Sequence, residues 1–152
     1  MNRGEGYVKY PGMDISHYTD YAYRVLMYLA VNKGRRVTMA EIAGYYVISH
    51  EHLRKVVHHL SSLSYINTYG GKGGGMELNL SPDEINIGQV FLDFEGFDPL
   101  IDCDRSSCPL RTSCGLSRVF AGAQDAFLDA LKQHTLADVL ASRKMVRMLT
   151  NS

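Results

Sequence analysis

The residues best suited to chemistry in this chain are its three cysteines, Cys103, Cys108 and Cys114. They fall within twelve positions at the spacing C-x4-C-x5-C, and no cysteine lies elsewhere. A stabilising disulfide framework calls for an even number of cysteines and an oxidising compartment. Thiolates instead bind soft metals and iron–sulfur clusters, and Ser106, Ser107, Pro109 and Ser113 make a loop in which three sulfurs can converge as they could not on a rigid helix. A bound metal ion or iron–sulfur cluster is therefore expected, the alternative being three unliganded thiols. Three thiolates leave a tetrahedral ion or a four-site cluster one ligand short, so a fourth donor must come from elsewhere in the fold or from a partner chain.

A second constellation is basic. The net formal charge is zero, which on average argues against a nucleic-acid partner, yet the charges are segregated. From Lys33 to Gly75 there are six Lys or Arg against two Glu, and from Met76 to Asp104 there are eight acidic residues with no Lys or Arg. Such polarity gives one face a positive potential that phosphates can feel. Within the basic part, Ser49 opens an amphipathic stretch whose outward face carries His50, Glu51, Arg54, Lys55 and His58. Arg54 suits a bidentate guanine contact and Lys55 a phosphate. Beyond it lies Gly70-Gly71-Lys72-Gly73-Gly74-Gly75, where the glycines permit positive φ and close backbone approach while Lys72 supplies charge. An enzymatic reading has little to stand on. The histidines form neither a triad nor HExxH with a plausible partner, and the glycine run lacks the strand–loop–helix order and GK[ST] of a nucleotide-binding loop.

The elements that must position these residues follow from periodicity and caps. Residues 1–12 read as a flexible tail. Tyr18, Ala22, Val25, Leu26, Leu29 and Ala30 recur at helical spacing over about 13 residues, with Thr19 expected as N-cap and Asp20 in the first turn, where the exposed amide dipoles favour a carboxylate. Thr38-Met39-Ala40-Glu41 is a capping box that starts a short second helix. Ser49 caps a third, with Leu53, Val56, Val57, Leu60 and Leu63 on one face. Two helices joined by a tight turn make a helix-turn-helix whose second member enters the major groove. Tyr65–Tyr69 and Met76–Leu80 read as strands around the glycine tip, a wing. A helix through Ile87, Val90, Phe91 and Phe94 ends at Gly96. After the cysteines, Leu116, Val119, Phe120, Ala123, Phe127, Leu128 and Leu131 draw one apolar stripe on a helix of about 18 residues, which a symmetric partner's copy would cover. Thr135 caps a last helix, and the basic end from Arg143 to Arg147 reads as a solvated tail.

The expected architecture is mainly α with a small β-hairpin: a winged helix-turn-helix domain over 13–96, a cluster-binding loop over 97–114, a dimerisation helix region over 115–140 and a C-terminal tail over 141–152. No stretch approaches the roughly 20 apolar residues of a membrane span, and no secretory leader is evident, so a cytoplasmic chain with reduced thiols is expected.

In this order, the helix-turn-helix, glycine wing, three-cysteine loop and long final helix resemble the Rrf family of bacterial winged-helix regulators. The likeness runs from about Met13 to Leu140. Its most specific pieces are Tyr18-Thr19-Asp20-Tyr21, the Gly-Lys-Gly-Gly wing, the cysteine loop and Thr135-Leu136-Ala137-Asp138. The resemblance implies a homodimeric repressor that binds double-stranded operator DNA through Ser49, His50, Arg54, Lys55, Lys72 and Gly73. Family members that sense iron–sulfur status add a histidine three positions after the last cysteine; here that position is Ser117. The nitric-oxide-sensing members complete a 4Fe–4S cluster with an aspartate at the head of helix one of the other subunit, and Asp20 occupies the matching position. The resemblance thus implies a 4Fe–4S cluster on Cys103, Cys108, Cys114 and the partner's aspartate, with nitric oxide as signal. A 2Fe–2S regulator of the same family, or a zinc-stabilised DNA-binding module, is the alternative.

Overall fold

The computed structural model describes residues 14–101, 103 and 107–150. The N-terminal segment 1–12 and part of the cysteine loop (102, 104–106) lie outside the described residues.

Helix α1 (His17–Val31) begins at Ser16, whose backbone is extended and whose side-chain oxygen accepts the amide of Thr19. The cap is therefore one turn earlier than the expected Thr19, and α1 has 15 residues. Thr19 is instead fully buried, its hydroxyl donating to the carboxylate of Glu95. Ala22, Val25, Leu26, Tyr28 and Leu29 carry the α1 stripe into the core, as their spacing requires.

The capping box forms as expected at α2 (Met39–Tyr46): Thr38 N–H donates to Glu41 Oε2 at 2.7 Å and Glu41 N–H to Thr38 Oγ1 at 3.2 Å. Val47 closes α2 in the left-handed region (φ 55°), which sharpens the turn into α3 (His50–Ser62). Ser49 caps α3 by accepting the His52 amide, and Leu53, Val56, Val57 and Leu60 face inward, whereas Leu63, expected on the same face, is the C-cap residue and stands exposed where the helix ends.

Strands β1 (Ile66–Tyr69) and β2 (Gly75–Leu78) pair antiparallel, from Ile66 opposite Leu78 to Tyr69 opposite Gly75. They are shorter than the expected 65–69 and 76–80, because the Tyr65 amide closes α3 on the Leu60 carbonyl and the Asn79 amide turns back to Tyr65. Val37, in the link between α1 and α2, adds a two-way bridge to Met76, with N···O distances of 2.9 and 2.8 Å. The wing is thus anchored to the helix-turn-helix on its inner side.

Asn86 caps α4 (Ile87–Glu95), which Gly96 ends at φ 79°. Helix α5 (Gly115–Lys132) has the expected length. Leu128 is its one buried residue, while Leu116, Val119, Phe120 and Phe127 stand exposed. A second capping box, Thr135 with Asp138, starts α6 (Leu136–Val139), and Leu136 is fully buried.

The expected solvated tail is a helix, α7 (Arg143–Thr150). Met145, Val146 and Leu149 recur on one face and turn inward, with Leu149 in the core, while Arg143, Lys144 and Arg147 remain outside. The Leu149 carbonyl accepts from Asn32 Nδ2 (3.4 Å) and the Met148 carbonyl from the Tyr45 hydroxyl (2.9 Å), seating α7 on α1 and α2. Three cations in five residues masked that apolar face.

Candidate nucleic-acid interface and cofactor site

The outward face of α3 presents Ser49, His50, Glu51, Arg54, Lys55 and His58, all exposed. Arg54 and His58 share an open cleft with Thr38 and Met39 at the head of α2 and with Thr68, Tyr69, Gly71 and Gly73 of the wing. The helix-turn-helix and the wing therefore converge on one concave surface. Lys72 stands at the exposed wing tip, between Gly71 and Gly73, which have φ of 75° and 76°. A side chain at Gly74 would collide with the Tyr69 carbonyl oxygen, so the turn demands glycine there.

Charge on this surface is unevenly compensated. The Lys55 ammonium lies 3.5 Å from Glu51, one turn back on the same helix, and Arg35 pairs with Glu41 at 2.7 Å. Among the described residues Arg54, Lys72 and Arg36 have no carboxylate within ion-pair distance. Lys55 thus has a carboxylate beside it, although an exposed pair of this kind holds it only weakly. Arg36 was not among the expected contacts. Its guanidinium carbon lies 3.8 Å from the centre of the Tyr69 ring, and Nη1 donates to the Gly73 carbonyl at 3.3 Å.

The neighbours His58 and His59 point apart on α3, His58 to the open cleft and His59 inward. His59 packs inward against Phe94 (ring centres 4.5 Å apart), and its Nδ1 is 3.1 Å from the Tyr18 hydroxyl. The same hydroxyl lies 3.4 Å from the Lys55 carbonyl. The first turn of α1 thus touches α3 directly.

Asp20 sits in that same turn, partly exposed, with Oδ2 2.7 Å from Arg24 Nη2. The Arg24 guanidinium also lies 5.4 Å from the ring centre of Tyr46 on α2. Burial pushes the Tyr46 phenol up to about 12, and its hydroxyl has no protein hydrogen-bond partner among the described residues.

Cys103, Cys108 and Cys114 are half-buried, and no disulfide joins them. Cys108 opens the first of two overlapping turns and Cys114 follows the second, Arg111 N–H donating to the Cys108 carbonyl at 3.2 Å and Ser113 N–H to the Leu110 carbonyl at 3.0 Å. Cys114 then precedes the first residue of α5. The donor set fits a soft metal or cluster in kind: three accessible thiols on one loop, with Ser117 rather than histidine three positions on. Among the described residues, no three His, Cys, Asp or Glu side chains of one chain are gathered closely enough to hold an ion. The three thiols expected to converge are thus not gathered with one another in a single chain, nor does Asp20 join them as a group.

A capped helix-turn-helix braced to a glycine wing, with reading face and wing tip on one surface, defines a winged-helix DNA-binding regulator. The chain belongs to the Rrf2 family, described as iron-dependent transcriptional regulators, whose family model matches residues 15–142. It is 39% identical over 141 residues to the HTH-type transcriptional regulator NsrR of Bacillus licheniformis, covering 90% of this chain and 99% of that protein. It is 36% identical to NsrR of Bacillus subtilis over the same length, covering 90% and 97%. These relatives are transcriptional regulators, so the class is a non-enzymatic one. Solved structures share the fold: CymR, the global cysteine regulator of B. subtilis, superposes with a TM-score of 0.67 at 23% identity, covering 84% of this chain and 95% of that one. T. potens IscR superposes with a TM-score of 0.66 at 22% identity, covering 85% and 87%. No helix among the described residues is long and apolar enough to cross a membrane.

Proposed function

We propose that this chain is a homodimeric repressor that carries an iron–sulfur cluster, senses nitric oxide through it, and releases operator DNA when the cluster is attacked. The observation that carries the reading is the pairing of a three-thiol loop with no fourth donor gathered to it among the described residues and an accessible Asp20 at the head of α1, in a chain similar to NsrR over most of its length.

Cys103, Cys108 and Cys114 would hold the cluster, with Asp20 of the second subunit as fourth ligand; a 4Fe–4S cluster supplies iron that nitric oxide attacks. The rest is done by the chain's own residues. If Asp20 ligates through Oδ2 it leaves Arg24, which frees the guanidinium that lies against Tyr46 of α2. Any shift of this first turn is felt by α3 through Tyr18 and His59, and by α4 through the Glu95 carboxylate. In a dimer, small rotations of the two α3 helices spoil the match to half-sites roughly 34 Å apart on one face of DNA.

The test is the iron and sulfide content of protein prepared without air, followed by titration with nitric oxide while binding to operator DNA is monitored. Near four iron and four sulfide per chain is expected for the 4Fe–4S reading, with DNA released as nitric oxide is added. Half that content with a 2Fe–2S Mössbauer signature points to the cluster-status alternative, and a colourless protein with one zinc to a non-sensing DNA-binding module. Asp20→Ala should change cluster stability and the nitric-oxide response; if both stay as in the wild type, the cross-subunit ligand is wrong.

A further inference from the structure

Arg36 lies in the short link between α1 and α2, outside the residues expected to meet DNA, yet four constraints converge on it. Its guanidinium lies 3.8 Å from the Tyr69 ring centre. Its Nη1 donates to the carbonyl of Gly73 at the wing tip. The Tyr69 ring is itself fixed, because its hydroxyl donates to Glu77 Oε1 on the facing strand at 2.7 Å. The neighbouring Val37 is bridged both ways to Met76. Gly75 makes this possible: at φ 145° it passes so close that a Cβ there would stand 2.8 Å from the Val37 carbonyl oxygen and 3.2 Å from Arg36 Cβ. Side chain, backbone and glycine thus hold one cation in a single pose against the wing.

A held cation of this kind is uncommon without a counter-charge. Arg35, the residue before it, is taken by Glu41, whereas Arg36 has no carboxylate within ion-pair distance among the described residues. Stacking occupies one face of the guanidinium, and the Gly73 carbonyl uses one of its five N–H donors. The others remain at an exposed position beside the cleft that Arg54, Tyr69 and Gly73 line. An arginine immobilised before binding loses less side-chain entropy when it meets its ligand.

We propose that Arg36, stacked on Tyr69 and tied to Gly73, is a pre-positioned phosphate-binding residue that clamps the DNA backbone between the wing and the head of α2. Resting on the DNA-binding reading above, it assigns Arg36 a sequence-independent contact, distinct from base reading by α3. Tyr69 acts as a positioning residue that holds Arg36 in place.

The experiment measures binding of the full-length protein to a mixed-sequence DNA duplex over a range of salt concentrations. Arg36→Ala should weaken binding by about tenfold and lower the salt slope by about 0.9, the signature of one lost phosphate contact. Arg36→Lys should restore the slope but not the full affinity, since an ammonium cannot stack and donate as the planar group does. Tyr69→Leu keeps every charge and should weaken binding while leaving the slope near the wild-type value. An exposed cation on α5, Arg118, serves as control, and Arg118→Ala should leave the slope unchanged. A wild-type slope in Arg36→Ala, an equal drop in Arg118→Ala, or wild-type affinity in Tyr69→Leu overturns the proposal while the DNA-binding reading stands. Failure of the wild-type protein to bind any duplex removes both.

Discussion

The carboxylate of Glu95, on the last turn of α4, accepts both the backbone amide and the hydroxyl of Ser16, the N-cap of α1, at 3.1 and 2.8 Å. Together with the Thr19 hydroxyl, it fastens the turn that bears Asp20 to the point where the chain departs for the cysteine loop. Burial pushes this carboxyl up, but the hydrogen bonds from Thr19 and Ser16 outweigh burial and hold it below the usual range. Its contribution is therefore complete above the ordinary Glu range near 4.3 and is lost as pH falls through the lowered value of the folded state. Glu95→Gln should cost roughly 1 kcal/mol at neutral pH, a modest figure because the group is exposed. Thermal unfolding should show the gap between variant and wild type closing in acid. An unchanged gap from neutral pH into strong acid would mean the carboxylate charge contributes nothing.

Asp20 and Arg24 form a partly exposed pair one turn apart on α1, the kind worth about 0.3–0.5 kcal/mol. Asp20→Asn should therefore barely move the melting temperature of cofactor-free protein. A clearly larger loss in cofactor-loaded protein would report a role in ligation rather than in the helix, and the comparison needs one calorimetric scan of each form.

Leu149 fastens α7 to the core although it stands near the end of the chain. Leu149→Ala should cost about 2–3 kcal/mol, the lower part of the range for buried leucines because a terminal helix can settle into the space. Denaturant unfolding measures it. A loss under about 0.5 kcal/mol would mean that α7 does not pack against α1 and α2 in solution.

Helix α5 leaves Leu116, Val119 and Phe120 facing outward on its first half, away from the α4 contact that Phe127 makes with Phe91 at 5.4 Å between ring centres. If a second copy covers this face, Val119→Asp should convert the dimer to monomer with little change in the secondary structure of each chain, as read by light scattering and circular dichroism. A dimer that survives the substitution places the interface elsewhere.

On α3, Arg54 has no carboxylate within ion-pair distance among the described residues and Lys55 sits beside Glu51. Arg54→Ala should abolish preference at one base pair across a set of operator variants, costing about 1–3 kcal/mol there, whereas Lys55→Ala should weaken all variants alike and flatten the salt dependence. Equal, sequence-independent losses for both would reduce Arg54 to a backbone contact.

What could be read from the chain were the features whose partners lie within one turn. The Thr38–Glu41 and Thr135–Asp138 boxes, the Ser49 cap, the stripes of α1, α3 and α5, and the glycine-tipped hairpin are encoded by residues three or four apart, or alternating. Their hydrogen bonds and faces follow from helix and strand geometry alone. The cysteine spacing likewise raised the expectation of a metal or cluster without a fold.

Tertiary structure decided the rest, because its determinants are far apart in the chain. Ser16 rather than Thr19 caps α1 since Glu95, 79 residues away, engages both. Arg36 is held by Tyr69 and Gly73, more than thirty residues downstream, and α7 is a packed helix because Asn32 and Tyr45 meet it from over a hundred residues earlier. Closing such distances costs chain entropy that no local pattern reveals, and only the assembled core, by burying Leu26, Leu53 and Leu149 together, makes those contacts favourable.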